Sequence, residues 1–341
     1  MHPLRYLLAY SLPVTVAISF MSTGWLCFLP LIYGFGVIPL LDQIVGPKAA
    51  NLTALEHDSA EANRLYDVII YLSVPVQLLM VGWFLIELQH PLSTADLVGR
   101  ITAMGMMCGV LGINVAHELG HRPKALERFM AKMLLATSLY MHFYIEHNKG
   151  HHRNVGTADD GATARRNEVL YMFWFRTIIR SFRSAWQITE KELRRKKQNV
   201  WSLKNEMLVM LLVQALLCST IAVLFSTFTL LCFLSAAFMG VLLLETVNYI
   251  EHYGLYRNKV NEYRYEDVEP EHSWNSDHVL GRWVLFELTR HSDHHYEPSK
   301  HYQLLDSMKG ASQLPAGYPA MMVLSLFPPL WFSVMNSRLP K

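Results

Sequence analysis

The sequence is poor in charged residues and in cysteine, and both shortages limit what the protein can be. Only 17% of its 341 residues are charged, whereas 52% are hydrophobic. Water-soluble domains carry about a quarter charged residues, so the shortfall indicates a surface that faces lipid. The net charge of +2, without a basic tail, gives no electrostatic reason to expect a nucleic-acid partner.

The few cysteines exclude two further classes of protein. All four lie in apolar stretches and none forms a Cys-x-x-Cys pair; they are Cys27, Cys108, Cys218 and Cys232. This spacing predicts neither a disulfide framework nor a thiolate metal site. A cleavable signal peptide is not expected either, because the first apolar run lacks a small-residue cleavage site and leads directly into a second.

Long apolar stretches, by contrast, are abundant. Six of them approach the roughly 20 residues that a helix needs to cross a bilayer, and they lie near residues 4–20, 24–41, 67–88, 97–116, 206–225 and 228–248. Polar blocks follow the fourth and the sixth, at 117–205 and 249–341. We therefore predict an all-α integral membrane protein with six transmembrane helices, which forms a single domain over residues 1–341.

The distribution of lysine and arginine predicts the orientation of this bundle. Of the 30 basic residues, 17 lie in 117–205 and nine in 249–341. Positively charged loops stay on the cytoplasmic side of a membrane. We expect a multi-pass protein of the bacterial inner (cytoplasmic) membrane, with both termini and both polar blocks in the cytosol.

Two amphipathic or interrupted segments are not counted as spans. Residues 126–145 contain Arg128 and Lys132 and are expected to form an interfacial or re-entrant helix. Residues 318–335 are apolar but contain Pro328 and Pro329. The second segment is therefore expected at the membrane surface.

Sixteen histidines are many for this length, and nine of them form four clusters near the predicted cytoplasmic ends of spans four and six. The clusters are His117 and His121 (HELGH); His147, His151 and His152 (EHNKGHH); His252 (NYIEHYG); and His291, His294 and His295 (HSDHH). Side chains four residues apart share a face of a helix. Nine neutral imidazoles suffice for two metal ions with four to five ligands each, and imidazole suits iron, zinc and copper.

Carboxylates adjoin the same clusters. Metal-bound histidines usually donate their second N–H to an acceptor that fixes the orientation of the ring. We expect that role for Glu118, Glu146, Glu251 and Asp293, although each could also be an ordinary acid at the membrane rim. HELGH alone also matches the zinc-protease pattern, which needs only one further ligand and would leave most of the other histidines unused.

The four motifs together resemble those of the membrane alkane 1-monooxygenases, relatives of the membrane fatty-acid desaturases. The similarity extends from roughly residue 20 to the end and includes PEHSWNS at 270–276. The resemblance implies that the nine histidines are the catalytic ligands of two non-haem iron ions. It also implies O2 as co-substrate and electrons from rubredoxin, supplied by a rubredoxin reductase and NAD(P)H. Without Cys-x-x-Cys motifs, the chain is expected to use a separate rubredoxin.

The resulting hypothesis is an oxidoreductase that hydroxylates the terminal carbon of n-alkanes to give primary alcohols. Such a substrate dissolves in the bilayer, and Gly34 and Gly36 are either packing residues or leave room for a channel to the irons. Related alternatives are a hydroxylase of aromatic methyl groups and a fatty-acid desaturase. A metal-ion transporter is the alternative of another class. The spans argue against it, because they lack the mid-membrane ionisable residues that mark an ion path.

Overall fold

The computed structural model describes residues 2–262 and 264–340, so three residues of the single domain expected over 1–341 (Met1, Tyr263 and Lys341) lie outside the described residues. Within the described residues, six helices are long and apolar enough to cross a membrane. They are α1 (Pro3–Met21), α2 (Gly24–Val45), α4 (Leu65–Glu87), α5 (Thr94–His121), α9 (Glu206–Leu224) and α10 (Thr227–His252). The prediction of a six-span, all-α membrane protein is confirmed.

The remaining helices complete the fold. They are α3 (Ala54–Ala62), α6 (Ala125–Thr137), α7 (143–154), α8 (Leu170–Arg195), α11 (Val279–Val284), α12 (His291–Tyr296), α13 (Tyr318–Ser325) and α14 (Pro328–Met335). Two small strand pairs stand beside them: antiparallel β1 (Lys259–Asn261) with β2 (Arg264–Tyr265), and parallel β3 (Trp274–Asn275) with β4 (Ser312–Gln313). Single turns of 3₁₀ helix occur at Pro270–His272 and Tyr302–Leu304.

The expectation of one helix over 126–145 is wrong, because the segment forms two. Helix α6 ends at Thr137, and Leu139 then adopts a positive φ of 51°, a backbone conformation that no helix can continue. Helix α7 starts at Phe143. The segment 318–335 is likewise divided, since Pro328 begins α14 after α13 has ended at Ser325.

Helix α5 lies at the centre of the bundle and crosses α10 at short distance. A Cβ atom placed on Gly240 of α10 would lie 2.5 Å from Cβ of Cys108 in α5. Small residues at such crossings let two backbones approach closely, which is how membrane helices commonly pack. Helices α5 and α10 end at His121 and His252, so this packing brings two of the histidine clusters to the same end of the bundle.

A buried arginine fixes the end of α5 to its neighbours. Arg122 follows the last residue of α5 and donates to Glu118 (3.0 Å), to Asp67 of α4 (2.6 Å) and to Glu127 of α6 (3.1 Å). Because the guanidinium is only 2% exposed, removing any of these carboxylates would leave it partly uncompensated. The network holds the HELGH turn in a defined position.

Candidate metal centre

Five of the nine histidines lie on two helices, α5 and α7, that depart from regular α geometry beside them. Helix α5 contains a π-helical segment, Cys108–Asn114, directly before the α-helical turn that carries His117 and His121. Helix α7 contains a second one, His147–His151, in which the backbone N–H of His152 donates to the carbonyl of His147. Such π segments are rare and occur mostly as single turns, frequently at functional sites.

All nine predicted histidines converge within the described part of the chain. They form two groups, and in each group the candidate ligand atoms lie within 4.8 Å of one another. The five-histidine group consists of His117, His121, His147, His152 and His294, and the four-histidine group consists of His151, His252, His291 and His295. The groups are adjacent, since the ring centroids of His152 and His295 are only 4.5 Å apart.

The separations between ring nitrogens are those of a ligand set. In the five-histidine group, Nε2 of His152 lies 3.2 Å, 3.0 Å and 3.1 Å from Nε2 of three other rings, those of His121, His147 and His294. In the four-histidine group the corresponding distances are 2.9 to 3.2 Å. For metal–nitrogen bonds of about 2.1 Å, ligand nitrogens at right angles lie about 3.0 Å apart.

Hydrogen bonding cannot explain this convergence. A neutral imidazole has one N–H and one acceptor nitrogen, so a single Nε2 cannot satisfy three other Nε2 atoms at once. The Nε2 atom of His117 is moreover buried without a hydrogen-bond partner. A cation at the centre of each group would accept all of these lone pairs, and the residues therefore fit a metal ion in both groups.

Burial keeps most of these imidazoles in the form that binds metal. It lowers the pKa of His147, His152, His291, His294 and His295 well below the ordinary value, because a charged imidazolium is poorly solvated there. These rings are neutral at neutral pH and keep a lone pair for a ligand bond.

The distribution of histidines between the groups differs from simple helical spacing. His117 and His121 share a group, as do His291 and His295, which agrees with an i, i+4 relation on a helix. His147 instead shares its group with His152, five residues later. The wider turn of the π segment accounts for this difference and sends His151 to the four-histidine group.

The four carboxylates predicted to support the rings have different surroundings. Glu118 accepts from Arg122 and from the backbone N–H of Tyr302, and Asp293 accepts from Lys300 (2.7 Å) and from the backbone N–H of Asp306. Their expected role as acceptors for metal-bound imidazoles stays a prediction.

The other two carboxylates are those of Glu146 and Glu251, and both are buried. Burial and the nearby Asp160 raise the pKa of Glu146 to about 8. Glu251 has one oxygen 3.3 Å from a ring nitrogen, Nε2 of His291. That nitrogen is the one that faces the other rings of the four-histidine group.

Sequence reasoning missed Asp160. Its carboxylate lies 3.1 Å from Nδ1 of His151 and is held by the Thr163 hydroxyl (2.6 Å). Although burial lowers it, this carboxylate raises the pKa of His151 above its ordinary value. An aspartate before glycine in the loop after α7 typically marks a turn, so the sequence carries no specific signal for this contact.

An apolar cavity reaches both groups. It has a volume of ≈ 90 Å³, and the rings of His117, His147 and His291 form part of its wall. Away from the histidines it is lined by residues of the spans, among them Gly34 of α2 and Met106 of α5. Gly36 lies outside this lining and is exposed on the surface of α2. A nonpolar molecule in the cavity would meet both groups of imidazoles.

Comparison with known proteins gives consistent matches. The family model described as "Fatty acid desaturase" matches residues 95–325. The alkane 1-monooxygenase 1 of Alcanivorax borkumensis is 38% identical over 93% of this chain and 79% of its own length, and an alkane 1-monooxygenase of Pseudomonas putida is 39% identical over the same shares. More distant is the xylene/toluene monooxygenase hydroxylase component XylM of Pseudomonas putida, 28% identical over 98% of this chain and 88% of that protein.

Proposed function

Because the chain belongs to the fatty acid desaturase family and to the alkane 1-monooxygenases, we propose that it hydroxylates the terminal carbon of n-alkanes. The reaction consumes O2, two electrons and two protons, and yields a primary alcohol and water. The observation that carries the proposal is the convergence of nine imidazoles in two groups, with members of both groups in the wall of an apolar cavity.

The chemistry of the substrate requires a redox metal. An unactivated C–H bond offers no polar group on which acid–base or nucleophilic catalysis could act. Two non-haem iron ions, held by the five-histidine and four-histidine groups, would activate O2 when bound. Neutral, buried imidazoles without competing cysteine ligands are suited to iron, and their number supports two ions.

The protein's own residues supply binding, orientation and exclusion of water. The cavity wall is almost entirely apolar, so an alkane chain is favoured in it and water is not. An alkane that lies in the cavity with one end toward His117, His147 and His291 would have its terminal carbon nearest the irons, which would account for terminal selectivity. Asp160 accepts a hydrogen bond from Nδ1–H of His151, which leaves Nε2 of that ring free for its ligand bond.

The proposal includes location and electron donor. We place the chain in the bacterial inner membrane as one domain over residues 1–341, with the termini and the histidines on the cytoplasmic side, because most lysines and arginines lie in the blocks 117–205 and 249–341. Electrons would come from rubredoxin, reduced by rubredoxin reductase and NAD(P)H. The exposed cations at the end of α8, such as Arg194 and Lys196, could receive an acidic partner.

The test is aerobic incubation of membranes that contain the chain with octane or hexadecane, rubredoxin, its reductase and NADH, followed by gas chromatography. We expect 1-octanol or 1-hexadecanol, dependent on O2 and on rubredoxin, and no product from membranes with His152→Ala. The absence of a primary alcohol, with both substrates and an active reductase, would contradict the proposal. Parallel incubation with p-xylene tests the alternative that the similarity to XylM supports, since that activity would give a benzylic alcohol.

A further inference from the structure

Glu251 occupies an unusual position between the four-histidine group and the cavity. It precedes His252 at the end of α10 and is 1% exposed. Its Oε2 atom lies 3.3 Å from Nε2 of His291, and its other oxygen, Oε1, is buried without a hydrogen-bond partner. The residue also lines the apolar cavity.

This contact differs from that of an acceptor that merely orients a ring. An orienting carboxylate binds the nitrogen that faces away from the metal, as Asp160 binds Nδ1 of His151. Glu251 instead approaches Nε2 of His291, which lies 3.1 Å from Nε2 of His252 and 2.9 Å from Nε2 of His295. The distance of 3.3 Å between Oε2 of Glu251 and Nε2 of His291 is therefore close to the distances between the ligand nitrogens themselves.

Among the described residues no lysine or arginine pairs with the Glu251 carboxylate, and the donor beside it is the neutral hydroxyl of Tyr318. Glu118 is paired with Arg122, and Asp293 with Lys300. A buried carboxylate with an unsatisfied oxygen is costly unless a cation or hydrogen-bond donors offset it. A divalent ion in the four-histidine group would offset that cost.

From these contacts we propose that Glu251 is a direct ligand of the ion in the four-histidine group, an inference that rests on the proposed two-iron function. One ion then has five imidazole donors, and the other has four imidazoles and a carboxylate oxygen. Mixed histidine and carboxylate ligation is well suited to ferrous iron. The two sites, which already differ in their number of imidazoles, would then differ in donor type as well.

The test uses the full chain, purified in detergent and loaded anaerobically with Mössbauer-active iron. The parent protein should show two ferrous quadrupole doublets of equal area. E251Q should alter one doublet only and weaken iron binding at that site by about 10-fold or more, since even loss of a supporting contact costs that much. Iron content per chain, measured after dialysis against a chelator, provides the second readout.

Glu245 offers a matched control. It lies on the same helix, is also 1% exposed, and its oxygens are satisfied by Tyr140, Thr177 and Asn248. E245Q should therefore leave both doublets and the iron content as in the parent. E251Q spectra and iron content indistinguishable from those of the parent would overturn the proposal.

The parent alone keeps the idea falsifiable if E251Q does not fold. Two irons with a single shared doublet would mean equivalent ligand sets and would overturn the ligand assignment, while the alkane assay could still succeed. A parent with fewer than two bound irons would overturn the proposed function, and the assignment of Glu251 with it. E251D, which keeps the charge but withdraws the carboxylate by one methylene, should alter the same doublet as E251Q.

Discussion

The pairing of His151 with Asp160 shows how one side chain controls another at the residue scale. The carboxylate accepts a hydrogen bond from Nδ1–H, so the ring has a defined tautomer and its Nε2 faces the other nitrogens of the four-histidine group. The Thr163 hydroxyl and the backbone N–H of Ala162 in turn hold Asp160. The loop after α7 thus belongs to the metal centre as much as the helices do.

Replacing Asp160 with alanine should weaken metal binding. Loss of such a supporting contact typically lowers metal affinity by about 10- to 100-fold, and we expect that loss in an iron titration of the purified protein. Asp159→Ala is the matched control. The Asp159 side chain is exposed, so its removal should leave the affinity unchanged. Equal affinities for the two variants would show that Asp160 does not support His151.

The sequence was sufficient to find the nine histidines but not their partners. Clusters with a helical step are visible because ligands on one helix must recur near a multiple of its turn. Asp160 has no such relation to His151, since a loop brings it back to the ring. Whether His147 pairs with His151 or His152 depends on a local change of helix type, which spacing alone does not show.

At the scale of secondary structure elements, the π-helical segments are the main departure from expectation. Segments at Cys108–Asn114 and His147–His151 lie next to ligands, and a third, Tyr33–Val37, includes the cavity residue Gly34. Each shifts the residues after it around the helix axis relative to a regular α-helix. The spans were predicted from apolar length, so the predictions stopped before the polar ends of α5 and α10 at His121 and His252. Polarity alone does not show that a helix continues into a buried site.

The two glycines of α2 now have distinct environments and give a paired prediction. A Cβ atom on Gly34 would lie 2.6 Å from the terminal methyl of Met106, whereas nothing lies within 4 Å of a Cβ atom on Gly36. Gly34→Trp should therefore displace Met106 and fill part of the cavity. Gas chromatography of products from a series of n-alkanes should show a shorter longest substrate for Gly34→Trp.

Gly36→Trp, on the exposed face of the same turn, is the control and should retain the chain-length profile of the parent. An unchanged profile for Gly34→Trp would refute a substrate channel at this position.

At the scale of the whole molecule, the charge distribution sets one side of the protein apart. Lys191, Arg194 and Arg195 lie near the end of helix α8 and Lys196 and Lys197 follow it directly; all five cations are exposed. Together they form a basic surface on the polar block 117–205. Attraction between exposed charges is screened over about 8 Å at physiological ionic strength.

If this surface receives an acidic rubredoxin, the rate of turnover at limiting rubredoxin should fall as salt is added. The measurement is alkane hydroxylation by membranes at increasing ionic strength, with reduction of rubredoxin by its reductase followed separately as a control. A hydroxylation rate independent of salt would exclude electrostatic docking.

Two pairs of sequence neighbours are divided between the groups. His151 belongs to the four-histidine group and His152 to the five-histidine group, and His294 and His295 are divided in the same way, with His295 in the four-histidine group. Because peptide bonds join these neighbours, the backbone limits how far the two groups of ligands can separate. If one ion were lost, these peptide bonds would still hold its ligands next to the other group.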